Sequence, residues 1–232
     1  MCGRYTIIHS ADAVAERFGV AAPHYDPGPR YNVAPTQGVP IIVQDGGERA
    51  LVQAHWGLVP FWAKDPAIGS RLINARAETL GDKASFKYAL SRRRCLVPAD
   101  GFYEWQRTRE GAQPFYIRPP DGRLFAMAGL WEQWESPDGS PLLSCAIVTV
   151  EPNDVVRPIH SRMPAILAPN DEQRWLGGPR AARTGPGRAP APEEQYTMLL
   201  RPSPNDLLEA YPVSRYVNSP ANNSPACIAR AA

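Results

Sequence analysis

The chain has 232 residues and a formal net charge of +2, with 44% hydrophobic and 21% charged residues. That balance belongs to a soluble globular protein with one sizeable core and leaves room for an appended tail. No stretch approaches the ~20 apolar residues of a membrane span, and the N-terminus lacks the order of a signal peptide, so a cytoplasmic protein with no membrane partner is expected.

In chain order, "MCGRYT" comes first. Cys2 is small, so Met1 is expected to be trimmed, leaving an α-amine and a thiol on one residue. "SADAVAERFG" reads as a short helix: Ser10 caps it, Ala11, Val14, Ala15 and Phe18 form one stripe, and Gly19 ends it. "VPIIVQ" and "RALVQAHW" flank Asp45-Gly46-Gly47, a hairpin signal. "FKYALSRRR" and "NDEQRWL" read as helices. "CLVPA", "GFYEWQ", "PFYIRP", "LFAMAGLWEQW" and "LLSCAIVTV" read as strands separated by Gly, Pro or Asp turns. This pattern predicts a single α+β domain dominated by antiparallel pairing. "GGPRAARTGPGRAPAP", within 177–193, cannot build a core and is predicted to be a surface loop.

The four cysteines, Cys2, Cys95, Cys145 and Cys227, are far apart and form no C-x-x-C. Neither a zinc site nor a disulfide framework is expected, and no cofactor is implied. Cys95 and Cys145 lie in apolar runs and read as buried small hydrophobes. The basic residues are mostly arginine, with lysine only at Lys64, Lys83 and Lys87. Arginine suits phosphate, although Arg, Ala and Pro together also reflect GC-rich coding. "SRRRC" at 91–95 reads either as a phosphate patch or as a solvated helix end.

Three residues stand out chemically. His160, in "RPIHSRMPAIL", is either a surface-loop histidine or part of a site. Glu104, in "DGFYEWQ", either faces outward from its strand or is buried among aromatics. Burial would raise its pKa and suit it to general acid/base work. Asn74, in "LINARAET", either orients a reactive group or caps a turn.

Seven segments occur together and in order: "MCGRYT", "RYNVAPTQ", "WGLVPFWAKD", "INARAET", "RRCLVPADGFYEW", "TVEPNDVVRPIHSRMPAIL" and "PVSRYVNS". This series resembles the SRAP family (SOS-response-associated peptidase), the abasic-site-processing proteins, from Cys2 to about Asn218. The resemblance implies a SRAP-type domain over residues 2–218, β-rich with barrel-like, mostly antiparallel sheets and a few peripheral helices, followed by a tail at 219–232. It also implies covalent capture of abasic sites in single-stranded DNA during the DNA damage response, at single-strand/double-strand junctions among other places. A monomer, nucleoid-associated when bound to DNA, is expected.

Carried over by position, Asn74 would hold the Cys2 amine, Glu104 would shuttle protons, and His160 would assist opening of the deoxyribose. Arg4, Arg71, Arg76 and Arg162 would pair with phosphates. Asn32 and Thr149 would make polar backbone contacts, and Ser161, Met163 and Pro164 belong to the His160 motif along the DNA. Trp62 with Phe61 would form a base platform, whereas Trp56 and Trp131 read as core. Two other classes stay open: a thiol peptidase, autoproteolytic or otherwise, using Cys2, His160 and Glu104, and a non-covalent reader of single-stranded or modified DNA.

Overall fold

The structure, a computed structural model, describes residues 2–21, 28–45, 47–177 and 194–231. Most of the predicted 177–193 loop, and Gly46 of the hairpin turn, lie outside the described residues. The first half of the chain forms β1 (Tyr5–Ile7), α1 (Ala11–Phe18), β2 (Arg30–Val33), β3 (Gly38–Asp45), β4 (Glu48–Trp56), β5 (Asn74–Arg76), α2 (Ala84–Arg92) and β6 (Arg94–Ala99). Then come β7 (Gly101–Thr108), β8 (Gly111–Arg118), β9 (Phe125–Glu135), β10 (Pro141–Val150), β11 (Met163–Pro164), β12 (Ile166–Leu167), α3 (Pro169–Leu176), α4 (Glu194–Thr197) and β13 (Glu209–Pro212).

Local chemistry explains the peripheral elements. Ser10 Oγ accepts the Ala13 amide at 3.3 Å, and Gly19 closes α1 in the left-handed conformation at φ 64°. The α1 stripe buries Val14, Ala15 and Phe18. β3 and β4 pair antiparallel from Gly38↔His55 to Asp45↔Glu48, as the hairpin signal predicts.

The strands form two sheets. One runs β13-β8-β7-β1-β2, antiparallel throughout. In the other, β10-β4-β3-β6-β9 closes on itself through β9–β10 pairing, giving a five-stranded barrel. Closure removes free edges. β10 changes neighbours along its length. Its middle lies between β9 and parallel β4, while its end lies between β11 and parallel β5. The fold is α+β, β-rich and mostly antiparallel, with β4–β10 and β5–β10 as its parallel pairs.

The main core fills and surrounds the barrel, and includes Cys95 and Cys145, both fully buried. A smaller cluster of Tyr103, Tyr116, Tyr211, Val213, Val217 and Cys227 lies against the first sheet. Residues after Asn218 stay on this sheet: Asn223 Oδ1 accepts the Tyr31 amide at 2.6 Å, and the Ala231 amide reaches the Pro212 carbonyl at 2.9 Å. Among the described residues, no helix is long and apolar enough to cross a membrane.

Candidate active site

Four separate segments bring Cys2, Asn74, Glu104 and His160 together. The Tyr5↔Phe102 register, and the Tyr103 amide bonded to the Arg4 carbonyl at 3.0 Å, run the N-terminal segment along β7 toward Glu104. Cys2 is fully buried there. Asn74 begins β5, fixed in parallel register opposite Ile147 of β10. Its Nδ2 donates to the Cys2 carbonyl at 2.9 Å. Its Oδ1 is buried and accepts no hydrogen bond from the described residues.

Glu104 lies in the buried half of β7 and is 2% exposed, so it does not face outward. Burial pushes its carboxyl up to about 7, against nearby positive charge and a backbone hydrogen bond at Trp105. The Cys2 thiol is also raised, first by burial and then by the negative charge of Glu104.

His160 follows a tight turn built on Asn153. Asn153 Oδ1 accepts the Val156 amide at 3.1 Å, while Nδ2 ties the turn to the Ser203 carbonyl at 3.2 Å. The His160 amide closes the turn on the Val156 carbonyl at 2.9 Å. The ring is partly buried, with Nδ1 3.7 Å from Glu104 Oε1. Nδ1 lies 3.0 Å from the Arg162 amide. Nδ1 is also 3.2 Å from the Arg162 carbonyl: accepting the amide N–H puts the ring proton on Nε2, and donating to the carbonyl puts it on Nδ1. Burial first, then positive charge including Arg107 and Arg162, lowers the His160 pKa. The imidazole is therefore mainly neutral at pH 7.

The other sequence-derived positions divide into two groups. Phe61 and Trp62 are 52% and 48% exposed, and Arg71, Arg76 and Ser161 are also exposed. The Phe61–Trp62 loop is pinned beside the site: the Leu58 amide donates to the Leu72 carbonyl, and Trp134 Nε1 to the Ala63 carbonyl at 2.7 Å. Gly57 and Gly69 meet so closely that a Cβ on either would lie 2.7 or 2.6 Å from the other's carbonyl oxygen.

Asn32, Thr149, Met163 and Pro164, in contrast, are buried. The Asn32 amide donates to the Val217, Ser219 and Asn222 carbonyls, and its Oδ1 accepts from Arg4. Arg4 also donates to the Val217 and Asn218 carbonyls, so the pair ties the N-terminal segment to the C-terminal one. Arg162 grips Glu78 through two hydrogen bonds of 2.8 and 3.0 Å and donates to the Thr149 carbonyl. Its guanidinium braces the His160 turn against the Asn74 segment, and Glu78 is a partner the residue-by-residue reading missed. The available signal was its place within "INARAET", four residues after Asn74.

"SRRRC" is neither of the two predicted things as a unit. Arg92 is exposed, Arg93 pairs with Glu132, and Arg94 is buried against the Tyr196 ring, donating to the Trp175 and Leu90 carbonyls. Among the described residues, no group of three or more His, Cys, Asp and Glu is placed to hold a metal ion.

Residues 1–220 match the family model described as SOS response associated peptidase (SRAP). The chain is 44% identical over 231 residues to abasic site processing protein YoqW of Bacillus subtilis, covering 98% of this chain and 99% of that protein. It is 35% identical to abasic site processing protein HMCES of Gallus gallus, covering 86% of this chain and 66% of that protein. A crystal structure of a Bacteroides thetaiotaomicron protein superposes with a TM-score of 0.84 at 27% identity, over 100% of both chains. The motifs that converge on Cys2 fall within the matched span, and the chain belongs to the SRAP family.

Proposed function

We propose that this protein processes abasic sites, capturing them covalently in single-stranded DNA through Cys2 once Met1 has been removed. The observation that carries this reading is the convergence of Cys2 with Asn74, Glu104 and His160 in one partly enclosed site. The names of its relatives supply the substrate class.

The ring-opened abasic sugar is an aldehyde. An α-amine has an unperturbed pKa of about 7.7–8.0, so it is neutral far more often at pH 7 than a lysine. It adds to the carbonyl carbon, and loss of water leaves an imine. The Cys2 sulfur then adds to the imine carbon and its proton passes to nitrogen, closing a five-membered thiazolidine. Tethering makes this second addition intramolecular, with the large effective molarity that brings.

The open Asn74 Oδ1 is an acceptor suited to the amine, while its Nδ2 fixes the Cys2 carbonyl. Glu104, titrating near 7, can give a proton to departing water and take one back during reversal. A proton on His160 Nε2 suits donation to the ring oxygen as the sugar opens. Exposed Arg71 and Arg76 suit phosphates beside the lesion, and Trp62 with Phe61 suits an unpaired base. The same chemistry run backward gives release, and elimination from the imine would be a lyase step.

A thiol peptidase built on Cys2 and His160 is the second reading. It needs a thiolate, and both burial and the Glu104 charge oppose one. Incubating the protein with abasic single strands, followed by denaturing electrophoresis, separates the possibilities. Capture gives a heat-stable shifted band. Binding seen only on native gels supports a non-covalent reader, and cleavage of a peptide without any DNA adduct supports the peptidase.

A further inference from the structure

Helix α2 has an outer face unlike the rest of the surface described above. Phe86, Ala89 and Leu90 point into the core, and Lys83, Lys87, Tyr88 and Arg92 are exposed. The helix itself carries no acidic residue, and Asp82, exposed in the preceding turn, offsets part of this charge. With Lys64 on the Phe61–Trp62 loop, this region holds all three lysines of the chain. Among the described residues, none of these lysines, nor Arg92, forms an ion pair.

Aromatic contact joins the helix to the loop. The Tyr88 ring, 38% exposed, sits 5.1 Å from Phe61, and the Arg92 guanidinium lies 5.6 Å from the Tyr88 centroid. Behind it, Arg93 stacks on both Tyr88 and Trp131 and pairs with Glu132, which holds the platform in place. The loop is pinned two residues before Asn74 through Leu72. An exposed strip thus runs from the Phe61–Trp62 loop, tied at Leu72 to the segment that carries Asn74, across Tyr88 to Lys87 and Arg92.

From this strip we infer that α2 binds the single-stranded arm of DNA beyond the lesion, with Tyr88 extending the Phe61 stacking surface and Lys87 and Arg92 taking phosphates. Alternating aromatic faces and solvated cations match unpaired bases on a phosphodiester backbone. The inference rests on the proposed function only in taking DNA as the partner, and it concerns affinity rather than bond formation.

The test uses the full chain and three abasic oligonucleotides: one trimmed to the lesion and its immediate neighbours, one with a long single-stranded arm, and one with a duplex arm. Undamaged single strands are measured in parallel by fluorescence anisotropy. On the long single-stranded arm, Lys87→Gln/Arg92→Gln should reduce the slope of log affinity against log salt by about 1.4, that is ~0.7 for each of two phosphates. Tyr88→Ala should weaken binding about fivefold, the low end for a base on an aromatic face. Tyr88→Phe should bind as the wild type does, which guards against a folding defect. The trimmed substrate should not respond to any of these changes.

Equal losses on trimmed and long substrates, or none on either, would overturn the inference. So would an effect confined to the duplex arm. Undamaged strands keep this outcome separate from capture: a wild-type protein that forms no adduct, yet shows the arm effect, refutes the proposed function and leaves this inference standing.

Discussion

The Cys2 site and the α2 strip solve opposite problems with different residue types. In the site, Glu104 and Cys2 are buried and hold their protons more tightly than they would in water, and burial favours a neutral His160. On the strip and its neighbourhood, Lys87, Arg92, Arg71 and Arg76 are solvated. Imine chemistry needs groups that exchange protons near neutrality, whereas phosphate binding needs charges that do not titrate. Residue type sets which groups can titrate near neutrality, and depth in the fold tunes those of the site.

Removing the nucleophile breaks the comparison most completely. Cys2→Ala should abolish the heat-stable DNA adduct, because the remaining amine can form only a hydrolysable imine. Cys2→Ser should leave at most a labile species, since its hydroxyl closes a weaker ring. A normal stable yield from Cys2→Ala, read on a denaturing gel, would exclude Cys2 from the reaction.

Next comes the proton shuttle. Glu104→Gln keeps shape and removes titration, so adduct formation and reversal should both slow by ~10²–10⁴-fold, the usual general acid/base contribution. The inflection near pH 7 attributable to Glu104 should disappear from the wild-type rate profile. Time courses across pH decide this, and wild-type rates in both directions would make Glu104 a structural residue.

The same substitution should change stability with a defined sign. Folding raises the Glu104 pKa from 4.5 to about 7, so the native state binds this proton more tightly than the unfolded chain does. The contribution is fully present below pH 4.5, is lost as pH rises to about 7, and stays lost above that. Glu104→Gln should therefore be more stable than wild type above pH 7 by roughly 3 kcal/mol, with the pH-dependent part of that gain vanishing in acid. Denaturant unfolding at several pH values measures it, and a pH-independent difference would contradict the burial argument.

The smallest effects belong to single exposed cations. Arg71→Gln or Arg76→Gln should each lower the salt slope of single-strand binding by about 0.7 and leave the chemical step at saturating DNA unchanged. An unchanged slope would remove that residue from the phosphate path.

Much of this was legible in the sequence, for identifiable reasons. The α1 cap and stripe and the β3–β4 hairpin are local signals, and their elements sit where Ser10, Gly19 and the 45–47 turn put them. The ordered motifs mark Cys2, Asn74, Glu104 and His160, which the fold brings into contact. What stayed hidden depends on partners distant in the chain. Arg162 and Glu78 are 84 residues apart, and Asn32 is satisfied by carbonyls near the C-terminus. β11 and β12 have two residues each, too few for a period to show. The three arginines of "SRRRC" part company because the helix ends at Arg92 and a buried strand begins at Arg94.

The burial of Cys2 also bears on which aldehydes the protein meets in a cell. An aminothiol in open solution condenses with any small aldehyde, including those of ordinary metabolism, and a reagent so consumed is lost for its intended target. In the chain that still carries Met1 the thiol is 0% exposed, withdrawn from casual encounters. An aldehyde delivered by a strand anchored along the surface arrives at high local concentration, while a free one must find the site unaided. Under the proposed capture, enclosure would act as a chemical filter, keeping a promiscuous functional group in reserve for one class of damage.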